Sequence, residues 1–291
     1  MSGAVVVTGA GRGFGRAIAK ALAGAGASIV AVDLPAHEAD NSATVEAIKG
    51  AGGTAIAVAA DTSSMDGGNQ AVRAAVDAYG ALDVLVCTAE VVRPGSIMDI
   101  SVEDWDAALD GTLKAAFTCV REASVVMRTQ RSGRILLATS GLGLSRLANN
   151  EGLVSTATAA AGIAGIVRAV SKDLARYGVA VNGVDLDAVT DAHDRGSPWT
   201  PAGETTGSVE DVTALPVFLA LTEAGGQVTG ETFAVSRERI GVYARYRQDI
   251  VAARPGGWNM DQVKQYFATL DAAERLSHVS VQGYSGAGVP A

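Results

Sequence analysis

Val5-Val6-Val7-Thr8-Gly9-Ala10-Gly11-Arg12-Gly13-Phe14-Gly15-Arg16 joins an apolar run to a helical pattern that continues to Ala25. Three consecutive β-branched residues read as a buried strand. The glycines after them let a backbone turn tightly and approach a pyrophosphate, whose charge the N-terminus of the following helix then stabilises. Eighteen residues beyond Gly15 the next apolar run, Ser28-Ile29-Val30-Ala31-Val32, ends at Asp33. A carboxylate there can accept hydrogen bonds from the adenosine ribose hydroxyls, and it repels a 2′-phosphate. The cofactor expected from this pattern is therefore NAD rather than NADP, with Arg12 and Arg16 as the features that speak for NADP.

The same kind of run recurs along the chain. Ala55-Ile56-Ala57-Val58-Ala59 stops at Asp61, and Val84-Leu85-Val86-Cys87, Arg134-Ile135-Leu136-Leu137-Ala138, Val179 to Val184 and Thr232-Phe233-Ala234-Val235 follow. They are uniformly apolar instead of alternating, as strands covered on both faces must be. Helical segments separate them at about 42–52, 66–80, 102–131, 154–177 and 209–222, a strand–helix alternation that predicts a doubly wound, parallel sheet of seven strands. Residues 1–236 then form one dinucleotide-binding domain. Residues 237–291 read as an extension with two helices broken at Arg254-Pro255-Gly256-Gly257, packing on the domain or on a partner.

Composition narrows the function. Thirty-one acidic against 23 basic residues give a net charge of −8, which argues against nucleic-acid binding. Two cysteines in 291 residues make no disulfide framework and suit a reducing cytoplasm. The N-terminus lacks a signal-peptide pattern, and no apolar stretch reads as a membrane span. The three histidines have no metal-ligand spacing, so no metal is expected.

With these residues in view, the chain resembles the short-chain dehydrogenase/reductase family over nearly all of residues 3–236. Thr8, Gly9, Gly13 and Gly15 match its glycine motif, and Asp61 matches its acidic residue after the third strand. Trp105, Asn182, Glu210-Asp211-Val212, Phe218-Leu219-Ala220 and Thr229-Gly230 also fall where its pattern has them. The resemblance implies a Rossmann-like fold, hydride transfer between a nicotinamide and a carbonyl or alcohol, and a cofactor site built from Thr8, Gly9, Arg12, Gly13, Phe14, Gly15, Asp33, Asp61, Thr62 and Ala89.

The chemistry departs from that family. Its acid/base group is a Tyr made competent by a Lys four residues on, because a phenol is too weak an acid near neutrality unless a cation stabilises its anion. No Tyr here has such a Lys. Tyr79, Tyr177, Tyr243, Tyr246, Tyr266 and Tyr284 are followed at that spacing by Asp, Val, Arg, Ile, Leu and Gly. Anchored on Gly165, Arg168 and Tyr177-Gly178-Val179, the Tyr position falls on Thr156, the Lys position on Ala160 and the relay Asn on Thr112. Only Ser140 keeps its place. Arg146 to Glu151 reads as an inserted bulge. The family's Asn-Asn-Ala-Gly has become Cys87-Thr88-Ala89-Glu90, and its Pro-Gly has become Leu186-Asp187. Glu90 thus sets a carboxylate where the resemblance has glycine beside the cofactor, so NAD binding is expected to be weak, at about 10–1000 μM. Glu90, Thr112, Thr139, Ser140, Thr156, Asp185, Asp187, Asp191 and His193 are expected near the strand ends; Glu90 with Asp185 or Asp187 offers an acid/base pair for a non-redox reaction, set against the favoured reading of solvated loop carboxylates. Cys87 and Cys119 read as small core residues.

Three functional readings follow. The first is a catalytically silent subunit of an NAD-dependent dehydrogenase complex, paired with an active paralogue. The second is an enzyme, redox or non-redox, using replacement residues around Ser140, and the third is an NAD-sensing scaffold. The extension resembles that of hydroxyacyl-CoA-type members. Helices 102–131 and 154–177 are the expected homo- or hetero-oligomer surface, the second being rich in Ala and Gly that allow close helix approach.

Overall fold

The computed structural model describes residues 3–144, 151–185, 208–236, 239–243 and 259–269. Contacts divide the chain into two compact units, residues 1–244 and 245–291. In the first, strands β1 (Ala4–Thr8), β2 (Ser28–Asp33), β3 (Thr54–Ala59), β4 (Val84–Cys87), β5 (Gly133–Thr139), β6 (Val179–Asp185) and β7 (Thr232–Val235) are all parallel. An eighth strand, β8 (Ile240–Val242), pairs antiparallel with β7, so the sheet order is β3-β2-β1-β4-β5-β6-β7-β8.

This β8 corrects the expectation that the sheet ends at Val235 and gives way to helix. Three residues with a glycine at their centre carry neither a period of two nor a run long enough to read. Ser236 N–H donates to the Arg239 carbonyl, closing the return, and Ile240 and Val242 stay largely exposed, as suits a short edge strand. The expected break at 254–257 lies outside the described residues. In the second unit, helix α8 (Met260–Thr269) begins at a reciprocal cap: Asn259 Oδ1 accepts the Gln262 N–H and Gln262 Oε1 accepts the Asn259 N–H.

The inner strands bury both faces. Val5, Val7, Ile29 and Leu136 pack against Ile18, Leu22, Val45 and Leu219 of helices α1 (Gly13–Gly24), α2 (Glu38–Gly50) and α7 (Ala214–Leu221). Val6, Leu85, Ile135 and Leu137 pack on the other side with Ala75, Cys119, Ala123 and Ile163 of helices α3 (Met65–Tyr79), α5 (Ala115–Gln130) and α6 (Val154–Ala175). Neighbouring residues of one strand serve opposite cores, which is why the sequence shows no alternation. Helix α6 is 22 residues and, among the described residues, is the one helix long and apolar enough to cross a membrane. Its Ile163, Val167 and Leu174 sit in the second core.

Between α4 (Val102–Ala108) and α5 the helix does not keep α spacing. Leu109–Lys114 forms a π-turn carrying Thr112, so the predicted single helix over 102–131 is interrupted at the level of the site. The chain runs outward from β1 to β3 and returns to β4 on the other side of β1. That reversal opens a crevice at the strands' C-terminal ends, where ligands bind in such sheets.

Candidate functional site

The crevice is built first by β1 and its turn. Gly9 and Gly13 hold positive φ of 67° and 48°, which a side chain would strain. Gly15 is required for a different reason: a Cβ there would lie 2.0 Å from the Gly9 carbonyl oxygen. The loop is held by the Ala10 N–H on the Val32 carbonyl and by the Thr88 hydroxyl, which donates to the Thr8 carbonyl at 2.7 Å. Helix α1 starts at Gly13 and directs its N-terminal end at the space this leaves.

Thr8, Gly9, Arg12, Gly13, Phe14, Gly15, Asp33, Asp61, Thr62 and Ala89 all line one cleft of about 780 Å³, within the range of small-molecule sites. Asp61 caps its own turn by accepting the Ser63 N–H at 2.9 Å, and the Thr62 carbonyl receives the Thr118 hydroxyl. Arg16 points elsewhere, toward α2, where it donates to Thr44 and lies 3.8 Å from Asp40.

His37 joins this cleft without having been singled out from the sequence. A short 3₁₀ turn, Pro35–His37, brings its Nδ1 to 3.0 Å from Asp33 Oδ1, while Arg12 Nη2 lies 2.7 Å from its Nε2. Asp33 also accepts the Gly11 N–H on Oδ2 and the Leu34 N–H on Oδ1, both at 2.8 Å. The readable signal was the spacing of four from Asp33 to His37 across a proline.

Deeper in, a cavity of about 40 Å³ is lined by Phe14, Thr88, Ala89, Glu90, Thr112, Ala138, Thr139, Ser140, Ala160 and Ile163. Glu90 borders this cavity and the outer cleft. Ser140, buried at the end of β5, accepts the Leu142 N–H at 3.1 Å and so starts the turn Gly141–Gly143. Thr139 donates to the Ala160 carbonyl at 3.0 Å, which fixes α6 against the strand end. Thr112 accepts the Val91 N–H at 2.9 Å. Asp185, buried at the end of β6, receives the Tyr243 hydroxyl from the residue following β8, and the pair lies against Gly141. Asp187, Asp191, His193, Leu186 and most of the segment read as a bulge lie outside the described residues.

Thr156 and Ala160 lie one turn apart on the buried face of α6. Ala160 reaches the cavity wall. Thr156 is 3% exposed and its hydroxyl has no hydrogen-bond partner among the described residues. A buried hydroxyl without a partner costs stability. Thr156→Val should therefore raise the free energy of unfolding by about 1 kcal/mol, seen as a higher urea midpoint with an unchanged slope; a lower midpoint would mean that the hydroxyl has a partner in solution. Cys87 is buried, and its hydrogen bond with Cys119, with burial, pushes its thiol well above the usual range. It stays protonated and is no nucleophile.

The outer cleft fits the adenosine diphosphate half of a dinucleotide: glycine backbone and a helix N-terminus for phosphate, Asp33 for ribose, Asp61 and Thr62 toward the base. The inner cavity, at about 40 Å³, holds about three waters.

A profile described as short chain dehydrogenase matches residues 3–196. The chain belongs to the short-chain dehydrogenase family. It is 34% identical over 235 residues to a 3-oxoacyl-[acyl-carrier-protein] reductase of Synechocystis sp., covering 79% of this chain and 94% of that one. It is equally 34% identical over 249 residues to the short-chain reductase protein NovJ of Streptomyces niveus, covering 80% and 92%. A crystal structure of a short chain dehydrogenase from Mycobacterium avium superposes with a TM-score of 0.80 at 29% identity, over 91% of this chain and 92% of the other. The family typically binds NAD or NADP. The family resemblance drawn from the glycine motif thus holds, and so does the Rossmann-like α/β architecture, enlarged by β8.

Proposed function

We propose that this chain binds an adenine dinucleotide through its adenosine half, does not carry out the family's hydride transfer by itself, and works as a subunit beside a second short-chain dehydrogenase chain that has the Tyr and Lys. One observation carries the reading. At the positions where the family resemblance puts its acid/base Tyr and Lys, α6 presents Thr156, buried with no partner among the described residues, and Ala160, which has no charge to offer. Thr112 and Glu90, where Asn and Gly are expected, point the same way.

Other features support the partner role. Beside α5 and α6 an apolar hollow of about 390 Å³ is lined by Leu109, Leu113, Phe117, Gly162 and Ile166. Phe117 and Val125 of α5 stay about half exposed. Such a surface suits a helix-on-helix interface. The curated relatives include 3-oxoacyl thioester reductases, which makes an acyl thioester the substrate class we assign to the complex. Asp33 favours NAD over NADP, and two buried free thiols suit a reducing cytoplasm.

The test is the native mass of the protein purified from its own host, with calorimetric titration of NAD into the isolated chain. A second short-chain dehydrogenase chain should co-purify, and NAD should bind at about 10–1000 μM. A homogeneous chain with no second component and submicromolar NAD affinity would overturn the proposal.

A further inference from the structure

We propose that His37 sets the selectivity of the ribose end of the cleft, by holding the Asp33 carboxylate and the Arg12 guanidinium in one chain of contacts. The inference rests on the nucleotide-binding reading above and adds a residue, and a direction of selectivity, to it.

The donors and acceptors can be counted. Asp33 is nearly buried, with a side chain 9% exposed, whereas that of Arg12 is 60% exposed. Oδ1 of Asp33 accepts two donors, the Leu34 N–H and His37 Nδ1, so both of its in-plane lone pairs are engaged. Oδ2 accepts the Gly11 N–H and keeps one lone pair. A ribose offers two hydroxyls, at 2′ and 3′, and a carboxylate that grips both needs both oxygens. With His37 in place only one hydroxyl finds a vacant lone pair.

The ring has a second role. Arg12 Nη2 lies 2.7 Å from Nε2 and 3.1 Å from Nδ1, a position over the imidazole rather than in line with one lone pair, so the guanidinium rests on the ring whose edge meets Asp33. His37 thereby carries a permanent cation to within one side chain of Asp33. Asp40, 3.9 Å from Arg12 Nε, offers only a loose second anchor. The repulsion that Asp33 would exert on a 2′-phosphate is offset by a guanidinium able to bind it in a fork. Asp33 alone predicts a cleft that rejects 2′-phosphorylated nucleotides. Asp33 with His37 and Arg12 makes one that admits both, with a narrow preference.

Removing the imidazole should undo both effects together. Both oxygens of Asp33 become available for the ribose, and Arg12 loses the contact that directs it there. The probes are adenosine 5′-diphosphate and its 2′-phosphorylated form, which avoid the crowded inner cavity. They are titrated by calorimetry at one ionic strength, because phosphate contacts are screened by salt. The wild-type chain should bind the two within about threefold of each other, and His37→Ala should favour the unphosphorylated ligand by about tenfold or more, the size expected for one charge-assisted hydrogen bond. Arg12→Ala should weaken the 2′-phosphorylated ligand relative to the other by a similar factor. His37 is partly exposed on a surface turn, and an unchanged thermal midpoint confirms that the variant folds. An affinity ratio that His37→Ala leaves within about twofold of the wild-type value overturns the inference while the nucleotide site stands. If neither ligand binds the wild type, it is the underlying nucleotide-binding reading that fails.

Discussion

Assayed alone against panels of ketones, alcohols and 3-oxoacyl thioesters, the chain should turn over about 10² to 10⁴ times more slowly than a short-chain dehydrogenase with its acid/base group in place. Reduction of a carbonyl leaves an alkoxide that needs a proton as it forms. A tyrosine beside a lysine can supply one near neutrality, whereas a threonine hydroxyl is a far weaker acid on a shorter arm. Thr156 is enclosed on the buried face of α6, and Ala160 one turn later adds no field to lower its pKa. Ser140, whose hydroxyl accepts the Leu142 N–H, is an alcohol and as weak an acid as Thr156. It could position a substrate without protonating it. Family-typical rates from the lone chain would overturn the silent-subunit reading. Rates that Ser140→Ala then abolishes would go further and assign the chemistry to a rewired site.

The second large effect belongs to the glycine loop. Gly15→Ala should destabilise the fold by about 3 kcal/mol, the upper range for overpacking, and reduce nucleotide affinity below detection. The added methyl would meet the Gly9 carbonyl oxygen at 2.0 Å and the Gly9 carbonyl carbon at 2.5 Å, and neither can move without opening the turn. Gly13 is the control. Its φ is positive, yet nothing lies within 4 Å of the position its Cβ would take, so Gly13→Ala should cost only the strain of that backbone conformation, about 1–2 kcal/mol. Urea midpoints of the two variants decide the matter, and equal losses would refute the steric account.

The strands were legible because a residue that must serve one of two cores can hardly be polar: Val5, Val6 and Val7 alternate between the cores while looking identical in sequence. The glycine loop was legible because backbone needs and phosphate chemistry ask for the same residue type at the same spacing. The missing acid/base pair could be read from spacing alone, since no register puts a Lys four residues after a Tyr. What stayed hidden depended on distance across the chain. His37 matters through Arg12, 25 residues earlier. Tyr243 meets Asp185 only because β8 folds back along β7, and nothing in Ile240-Gly241-Val242 announces a strand. The lone hydroxyl of Thr156 can be recognised only when every neighbour is known not to reach it.

The π-turn at Leu109–Lys114 also bears on how this chain can change in length. Such a turn spans five residues per hydrogen bond where an α-turn spans four, so it accommodates one residue more than the helix needs. Losing one residue inside it lets the ladder close to regular spacing, and Cys119, Ala123 and Met127 keep facing the sheet. The damage is local: Thr112 leaves the Val91 N–H and the small cavity. Losing one residue a few positions further on has no such outlet. Every later side chain advances by about 100° around the axis, and Arg128 arrives where Met127 is fully buried beneath Gly133. Deletions in this long helix are therefore survivable at one place, and that place is the site: the chain can shed part of its chemistry here and keep its architecture.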